Sequence, residues 1–269
     1  IPLRLVGSEM CIRDRNIKVV SSLFALCLFA IYSCNEQTTS QVSKPSDADY
    51  DNIGVNHNRC LDNILSSINL VKTKSQTFPE KDQVKDIVDS ITLEYITQEY
   101  NLDMATANKV LFHINKTKSI GNSEREDFIG KDNLYPFYQR LSTIMDDEDE
   151  NLESLQSRIL CLTLEAEVKL SENEKNEFLP ACSVARNTLN YWHDNASEWY
   201  AISGQSTQGR TFSWKRLGKE DVKGAIATAT GEAVSALVFG PIGWKAYFAA
   251  CVGGAAISSA YDAIEQLWP

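Results

Sequence analysis

Residues 151–202 read NLESLQSRILCLTLEAEVKLSENEKNEFLPACSVARNTLNYWHDNASEWYAI. Apolar side chains recur in this stretch at intervals of three and four residues, the spacing of one face of an α-helix. They are Leu152, Leu155, Ile159, Leu162 and Ala166, and then Phe178, Cys182, Ala185, Leu189, Trp192, Ala196 and Trp199. Between the two sets, Ser171 and Glu174 have the spacing of a capping box, which begins a new helix. The stretch therefore predicts an antiparallel αα-hairpin, at about 151–202, that closes near Ser171.

Further helices are predicted on the N-terminal side of this hairpin, and no strand pattern of similar strength occurs. The apolar positions with helical spacing are Leu61, Ile64, Leu65 and Ile68; Val84, Ile87, Val88, Ile91 and Tyr95; and Val110, Leu111 and Ile114. Another helix is expected from Leu134 to Met145, broken early at Pro136 because proline cannot continue a helix. We therefore predict an all-α fold, a helical bundle whose main domain covers residues 53–203.

The C-terminal segment, residues 219–269, is rich in glycine and alanine. Small residues recur at every fourth position, at Ala225, Ala229 and Ala233 and again at Ala246, Ala250, Gly254 and Ser258. Such stripes let two helix backbones approach closely. The break Gly240-Pro241-Ile242-Gly243 supplies a turn between them. The segment predicts a second, apolar helical hairpin with a glycine-zipper-like interface, joined to the main domain by a linker at 204–218.

Two locations for the C-terminal hairpin are open. Each arm is about long enough to reach across much of the ~30 Å hydrocarbon layer of a membrane. Charges at Lys223 and Glu232 interrupt the first arm, and Lys245, Asp262 and Glu265 flank the second, and charges inside a membrane are costly. A hairpin packed on the helical body, or on another subunit, would also be apolar on both sides. We favour the packed form.

The first 33 residues have the pattern of a leader. Residues 1–15 resemble translated sequencing-adaptor read-through, and residues 16–33 resemble a signal peptide whose apolar run, residues 19–31, is short for a spanning helix. The sequence Ile31-Tyr32-Ser33-Cys34 resembles a bacterial lipobox, in which the cysteine thiol is acylated. The alternatives are an ordinary cleaved signal with an incidental cysteine, and a retained anchor helix.

Acylation at Cys34 predicts a location and a partner. Residues 34–52 are rich in Ser, Thr and Asp, which is typical of a flexible tether. Asn35 follows the cysteine in place of the aspartate that commonly retains lipoproteins at the inner membrane, so an outer-membrane location is expected. The predicted partner is membrane lipid, bound through acylated Cys34. Another envelope protein, or a second copy of the chain, is a further candidate partner for residues 219–269.

Composition and motifs exclude several classes of function. The 269 residues include 26 Lys and Arg against 36 Asp and Glu, a formal net charge of −10, and nucleic-acid binding needs clustered basic residues instead. The acidic run 146–150 lacks the alternating ligands and central glycine of an EF-hand, so a solvated loop is predicted. His57 and Cys60 are only two candidate ligands, too few for a zinc site. No metal or cofactor is predicted, and without a recognised catalytic motif we expect no enzyme.

Two sets of side chains are candidate sites. Cys161 and Cys182 lie ten and eleven residues from Ser171, at about the same height on facing helices. They are candidates for a disulfide in an oxidising compartment, the alternative being two free buried thiols. Arg186, Asn190 and His193 line the face of their helix opposite its apolar stripe. They could bind an anionic group, or form a solvated face with structural hydrogen bonds.

The lipobox, the sequence Asn56-His57-Asn58, the sequence LPACSVARNTLNYW at 179–192 and the Gly/Ala-rich tail together resemble uncharacterised secreted lipoproteins of the Bacteroidota. That family carries no established activity to transfer. The tail is also similar to glycine-rich bacteriocin-like peptides, which are usually richer in glycine. We expect a lipid-anchored envelope protein that acts as an interaction or structural module. The alternatives are a membrane-active protein that inserts through residues 219–269, and an unrecognised envelope enzyme.

Overall fold

The computed structural model describes residues 47–119, 133–204, 212–230 and 243–268. Within these ranges the chain forms eight α-helices and no strand, which confirms the all-α prediction. The helices are α1 (Asp47–Ser75), α2 (Lys81–Glu99), α3 (Met104–Ser119), α4 (Tyr135–Met145), α5 (Leu152–Lys169), α6 (Glu172–Ser203), α7 (Trp214–Thr230) and α8 (Trp244–Leu267). The described helices all belong to one compact unit.

The apolar helix α8 is the centre of this unit. Its side chains are buried around the whole circumference from Ala246 to Ile257, its second half has one partly exposed polar face, and it contacts α1, α2, α3, α6 and α7. A helix that is apolar on all sides is stable when other helices surround it. The described helices of the C-terminal segment, α7 and α8, are therefore packed on the helical body, the form favoured from the sequence. Within the described ranges, no helix combines the length and apolarity needed to cross a membrane.

Helices α7 and α8 approach each other most closely at two glycines. A Cβ atom added to Gly224 would lie 2.3 Å from the carbonyl oxygen of Gly254, and one added to Gly254 would lie 2.4 Å from Cγ2 of Thr228. The predicted small residues Ala225, Ala229, Ala246, Ala250 and Gly254 are buried, and Ser258 is half-buried. Ala233 and the connection at 231–242 lie outside the described residues. The backbones are thus close because Gly224, which the predicted stripe omits, faces Gly254.

Helices α5 and α6 have the predicted boundary. The backbone N–H of Ser171 donates to the Glu174 carboxylate at 2.8 Å, and both halves of the capping box are present. At the other end of α5, Asn151 accepts a hydrogen bond from the backbone N–H of Ser154 at 2.9 Å. The apolar stripes predicted for the two helices are buried, apart from the partly exposed Leu152 and Ala196. Helices α5 and α6 also pack against each other.

Three boundaries differ from the sequence prediction. Helix α1 begins at Asp47, inside the predicted tether, and Tyr50 in its first turns is buried against Asn176 of α6. Helix α7 begins at Trp214, inside the predicted linker. Pro136 does not break α4 but lies in its first turn, where the missing N–H would have no helical partner in any case. Tertiary contacts therefore extend helices into segments whose composition is typical of loops.

Candidate functional site

A buried carboxylate, Asp221 of α7, lies where α1, α6 and α7 meet. It is fully buried, and a charge in the interior is stable only with hydrogen-bonded partners. Nε2 of His57 lies 2.7 Å from Oδ1 of Asp221. The other carboxylate oxygen accepts hydrogen bonds from Nε1 of Trp192, at 2.6 Å, and from the hydroxyl of Thr188. We call these four residues the Asp221 cluster; all four side chains are inaccessible to solvent.

The second nitrogen of His57 is also held. Nδ2 of Asn58 donates to the backbone carbonyl of Asn187 at 3.1 Å, an atom that can only accept. This contact turns Oδ1 of Asn58 toward Nδ1 of His57, 2.9 Å away. Both ring nitrogens therefore face oxygen acceptors, the amide oxygen of Asn58 at Nδ1 and the Asp221 carboxylate at Nε2. The imidazole is fixed at both nitrogens, with no ring atom left to bind a ligand.

The chemistry available to the Asp221 cluster follows from which atoms face each other. A His–Asp pair is part of a catalytic triad, in which the imidazole also contacts a nucleophilic hydroxyl or thiol. Here the hydroxyl of Thr188 donates to Asp221 and not to His57. The cluster therefore uses its polar groups to join three helices, and it has the geometry of a buried structural network. No sequence motif predicts the Asp221 cluster. The one local signal is the position of an aspartate next to Val222, in an apolar segment.

The two cysteines of the predicted disulfide differ in burial and are not bonded to each other. Cys161 and Cys182 are free thiols, the first exposed and the second buried. Cys161 lies between the buried positions Ile159 and Leu162 in sequence, but one step around the helix from them, so it faces solvent. Burial raises the pKa of Cys182 to about 12, with a small opposing effect of its hydrogen bond to Thr163. The prediction of a Cys161–Cys182 disulfide is therefore wrong.

His57 and Cys60 contact different partners, Asp221 and Thr92. Cys60 is buried against Thr92, with Sγ 3.9 Å from its hydroxyl oxygen. Burial raises the pKa of the Cys60 thiol to about 12. The described parts of the chain contain no group of three or more His, Cys, Asp and Glu side chains that could hold a metal ion.

The predicted anion-binding residues lie along one side of α6 but contact different partners. They are Arg186, Asn190 and His193. The guanidinium of Arg186 pairs with Asp51 at 2.5 Å. The side-chain oxygen of Asn190 accepts from Gln156 at 2.8 Å, and Nδ1 of His193 lies 2.8 Å from Oδ1 of Asp194. These contacts match the alternative of structural hydrogen bonds, and anion binding stays a prediction.

The acidic loop at 146–150 surrounds an ammonium group. Nζ of Lys215 donates to the backbone carbonyl oxygens of Asp147, at 3.1 Å, and Glu150, at 2.8 Å, and also to that of Glu148. The predicted loop is thus present, but its carbonyl groups are not simply solvated. A lysine side chain supplies the cation around which they gather.

A cavity of about 300 Å³ lies beside this loop, between the end of α4 and the first half of α7. Three lysines of α7, one helical turn apart, line it: Lys215, Lys219 and Lys223. Besides Lys215, Lys219 contacts Asp146, and Lys223 pairs with Glu220 at 2.5 Å. Since their charges are engaged by neighbouring oxygens, the cavity does not have the free cations of an anion site.

Helix α5 has a second apolar face, directed to solvent. Leu160, Leu164 and Val168 are 43%, 52% and 86% exposed. They repeat at every fourth residue, so they form a continuous strip about 12 Å long. The core residues of α5, such as Leu162 and Ala166, are buried on the opposite side. We call this strip the outer α5 face. Single exposed apolar residues are ordinary, whereas a continuous group marks a contact surface.

Comparison with known proteins gives no match: no protein-family model fits the chain, and no curated protein or solved structure is similar to it.

Proposed function

We propose that this protein is a lipid-anchored component of the bacterial cell envelope, at the outer membrane, that acts as an interaction or structural module. The anchor is supported by the sequence Ile31-Tyr32-Ser33-Cys34, which has the pattern of a lipobox after an apolar run. Cys34 lies outside the described residues.

The observation that carries the interaction role is the outer α5 face. Helix α5 already buries one apolar face in the core, and the exposed parts of the three apolar side chains on its other face are covered by nothing in the described structure. Exposed apolar strips of this kind are typical of surfaces that contact another molecule. The groups with reactive chemistry have a different position: His57 and Asp221 are buried against each other.

The position of α8 supports this proposal over a hairpin that inserts into membranes. To insert, α8 would have to leave the five helices around it and expose their apolar faces. Burial of apolar side chains is the main stabilising contribution to a fold. The resemblance of the tail to bacteriocin-like peptides is one of composition, and a buried central helix accounts for the same composition.

Lipid attachment is tested by metabolic labelling of the full chain with radioactive palmitate in a bacterial host. The expected result is label in the wild-type protein and none in Cys34→Ala. Cys161→Ser is the matched control, because it removes an exposed cysteine far from the lipobox-like sequence and should keep the label. Label that persists in Cys34→Ala, or that is absent from the wild type, would contradict the proposal. Envelope fractionation of the same strains then tests the outer-membrane location.

A further inference from the structure

The start of α1 comes near the middle of α5, with a small cavity between them. Tyr50 and Asp51 of α1 line one small cavity, of about 40 Å³, together with Thr163 and Glu167 of α5. The hydroxyl of Ser183 in α6 also donates to the backbone carbonyl of Asp51 at 3.1 Å. Glu167 is the residue before Val168, so this cavity lies along one edge of the outer α5 face. The described chain therefore begins beside the exposed apolar strip.

The same end of α1 is the one nearest in sequence to Cys34. Only the residues 35–46 separate Cys34 from Asp47. A stretch of this length can hold the two residues at most ~45 Å apart. An acyl group on Cys34 would therefore hold the start of α1, which lies near α5, within ~45 Å of the lipid surface.

We propose that in the anchored protein the outer α5 face lies on the membrane and buries Leu160, Leu164 and Val168 among the lipid headgroups. This inference rests on the proposed acylation of Cys34. Amphipathic helices that lie in the interface bury their apolar side about 5–10 Å deep, parallel to the membrane plane. The strip runs along one face of α5, parallel to the helix axis. All three side chains can therefore enter a flat surface together.

The charges around the strip define the kind of lipid surface. Glu153 lies at the N-terminal end of the strip and Glu167 at its edge. The more distant Glu165 is paired with Arg140 at 2.7 Å and with Lys169 at 2.9 Å. An anionic surface would repel the unpaired carboxylates, because anionic lipids attract basic segments. The face therefore fits a zwitterionic surface, such as phosphatidylcholine or phosphatidylethanolamine.

A second copy of the chain is the less favoured occupant. Stable interfaces bury about 800 Å² on each partner. Three partly exposed side chains supply on the order of 300 Å² of that area, and the residues at the edges of the strip are carboxylates that would face like charges in a symmetric pair. A lipid surface has no such area requirement, because the acyl group already supplies the affinity. The strip then sets the orientation of the protein.

Cys161 allows a direct test because its exposed thiol lies beside the strip. The other described cysteines are buried, and burial raises the pKa of Cys60, Cys182 and Cys251 to about 12. In acylated protein Cys34 is blocked, so a thiol-reactive fluorophore attaches to Cys161. The labelled, acylated protein is reconstituted in phosphatidylcholine vesicles. Quenching is then measured with nitroxide-labelled lipid, which acts from the bilayer, and with iodide, which acts from water.

The expected result is strong quenching by nitroxide lipid and severalfold protection from iodide. The triple variant L160S/L164S/V168S should lose that protection while remaining bound to the vesicles. Phe112→Ser is the matched control, because Phe112 is an apolar side chain of α3 that is 71% exposed outside the strip, and it should leave the quenching unchanged. Circular dichroism of each variant verifies that the helices are intact.

Three outcomes overturn the proposal and are distinguishable. Vesicle-bound, acylated protein whose label is open to iodide would show that the anchor exists and the strip faces water. Protein without acyl groups, and therefore not bound, would refute the proposed function together with this inference. Protection from iodide that depends on protein concentration and persists without lipid quenching would identify a second copy of the chain as the occupant.

Discussion

The close crossing of α7 and α8 predicts opposite effects for two alanine substitutions in one helix. In Gly224→Ala the new methyl group would lie 2.3 Å from the carbonyl oxygen of Gly254 and 2.5 Å from Oγ of Ser258. Gly218 lies six residues closer to the start of α7. In Gly218→Ala the nearest atoms are 3.4 Å from the new methyl group, on Leu189 and Met145. The first substitution creates an overlap with backbone, and the second creates an ordinary van der Waals contact.

The magnitudes follow from two opposing contributions. Replacing glycine by alanine inside a helix gains about 1 kcal/mol of helix propensity. Overpacking a core costs typically about 1–3 kcal/mol, and more when the obstructing atom is a carbonyl that cannot rotate away. Because the obstructing atom is a backbone carbonyl, the cost lies at the upper end of that range, and Gly224→Ala is expected to lower the free energy of unfolding by about 2 kcal/mol. Gly218→Ala is expected to leave it unchanged or to raise it by up to about 1 kcal/mol.

Urea unfolding followed by circular dichroism measures both variants. A stability change moves the midpoint while the slope of the transition stays constant. Equal effects of the two substitutions, or a Gly224→Ala protein as stable as the wild type, would refute the reasoning, because the α7–α8 distance would then have room for a methyl group. A loss in both variants would likewise show that α7 does not pack as described.

Three further predictions concern buried groups. Asp221→Ala should lower the free energy of unfolding by about 3–5 kcal/mol, because it leaves the donors of the Asp221 cluster unpaired in the interior. Urea midpoints measure the effect, with the exposed Asp86→Ala variant as the control. An effect smaller than that of the control would contradict the network. Peptide mapping after brief treatment with a maleimide should find Cys161 modified and the three buried cysteines protected until the protein is unfolded; rapid modification of Cys182 would show that its helix face is open. Burial lowers the pKa of His113, so the unfolded chain takes up a proton there before the folded one does. The free energy of unfolding should therefore fall as the pH drops below about 6.5, by at most about 1.4 kcal/mol per pH unit. A His113→Gln variant, compared with the wild type between pH 7.5 and 5.5, should lack this contribution. An unchanged pH dependence in the variant would refute the role of His113.

Features that depend on neighbouring residues were predictable. The capping box of Ser171 and Glu174 needs only residues three apart, and its contacts form as predicted. The buried positions of α1, α2 and α5 follow from a repeat of 3.6 residues, which is a property of one helix by itself. The boundary errors at Asp47 and Trp214 have a different origin, because the contacts that extend those helices come from distant parts of the chain.

The candidate sites were less predictable, for the same reason. His57 and Asp221 are 164 residues apart in sequence, and no local pattern connects them. Cys161 and Cys182 have suitable heights on adjacent helices, but a single step around α5 turns one thiol to solvent. Leu160, Leu164 and Val168 repeat with helical spacing, yet spacing alone does not distinguish a face that is buried from one that is exposed.

The sequence by itself determined that this protein is all-α, where most of its helices lie and which of their faces are apolar, because side-chain periodicity and helix capping act over a few residues. It also carries the lipobox-like pattern on which the proposed anchor depends. Only the tertiary structure decided that α8 is a central core helix, that Asp221 joins three helices and that α5 keeps one apolar face uncovered. Burial depends on what packs against a helix, and that is set by contacts between residues far apart in the chain.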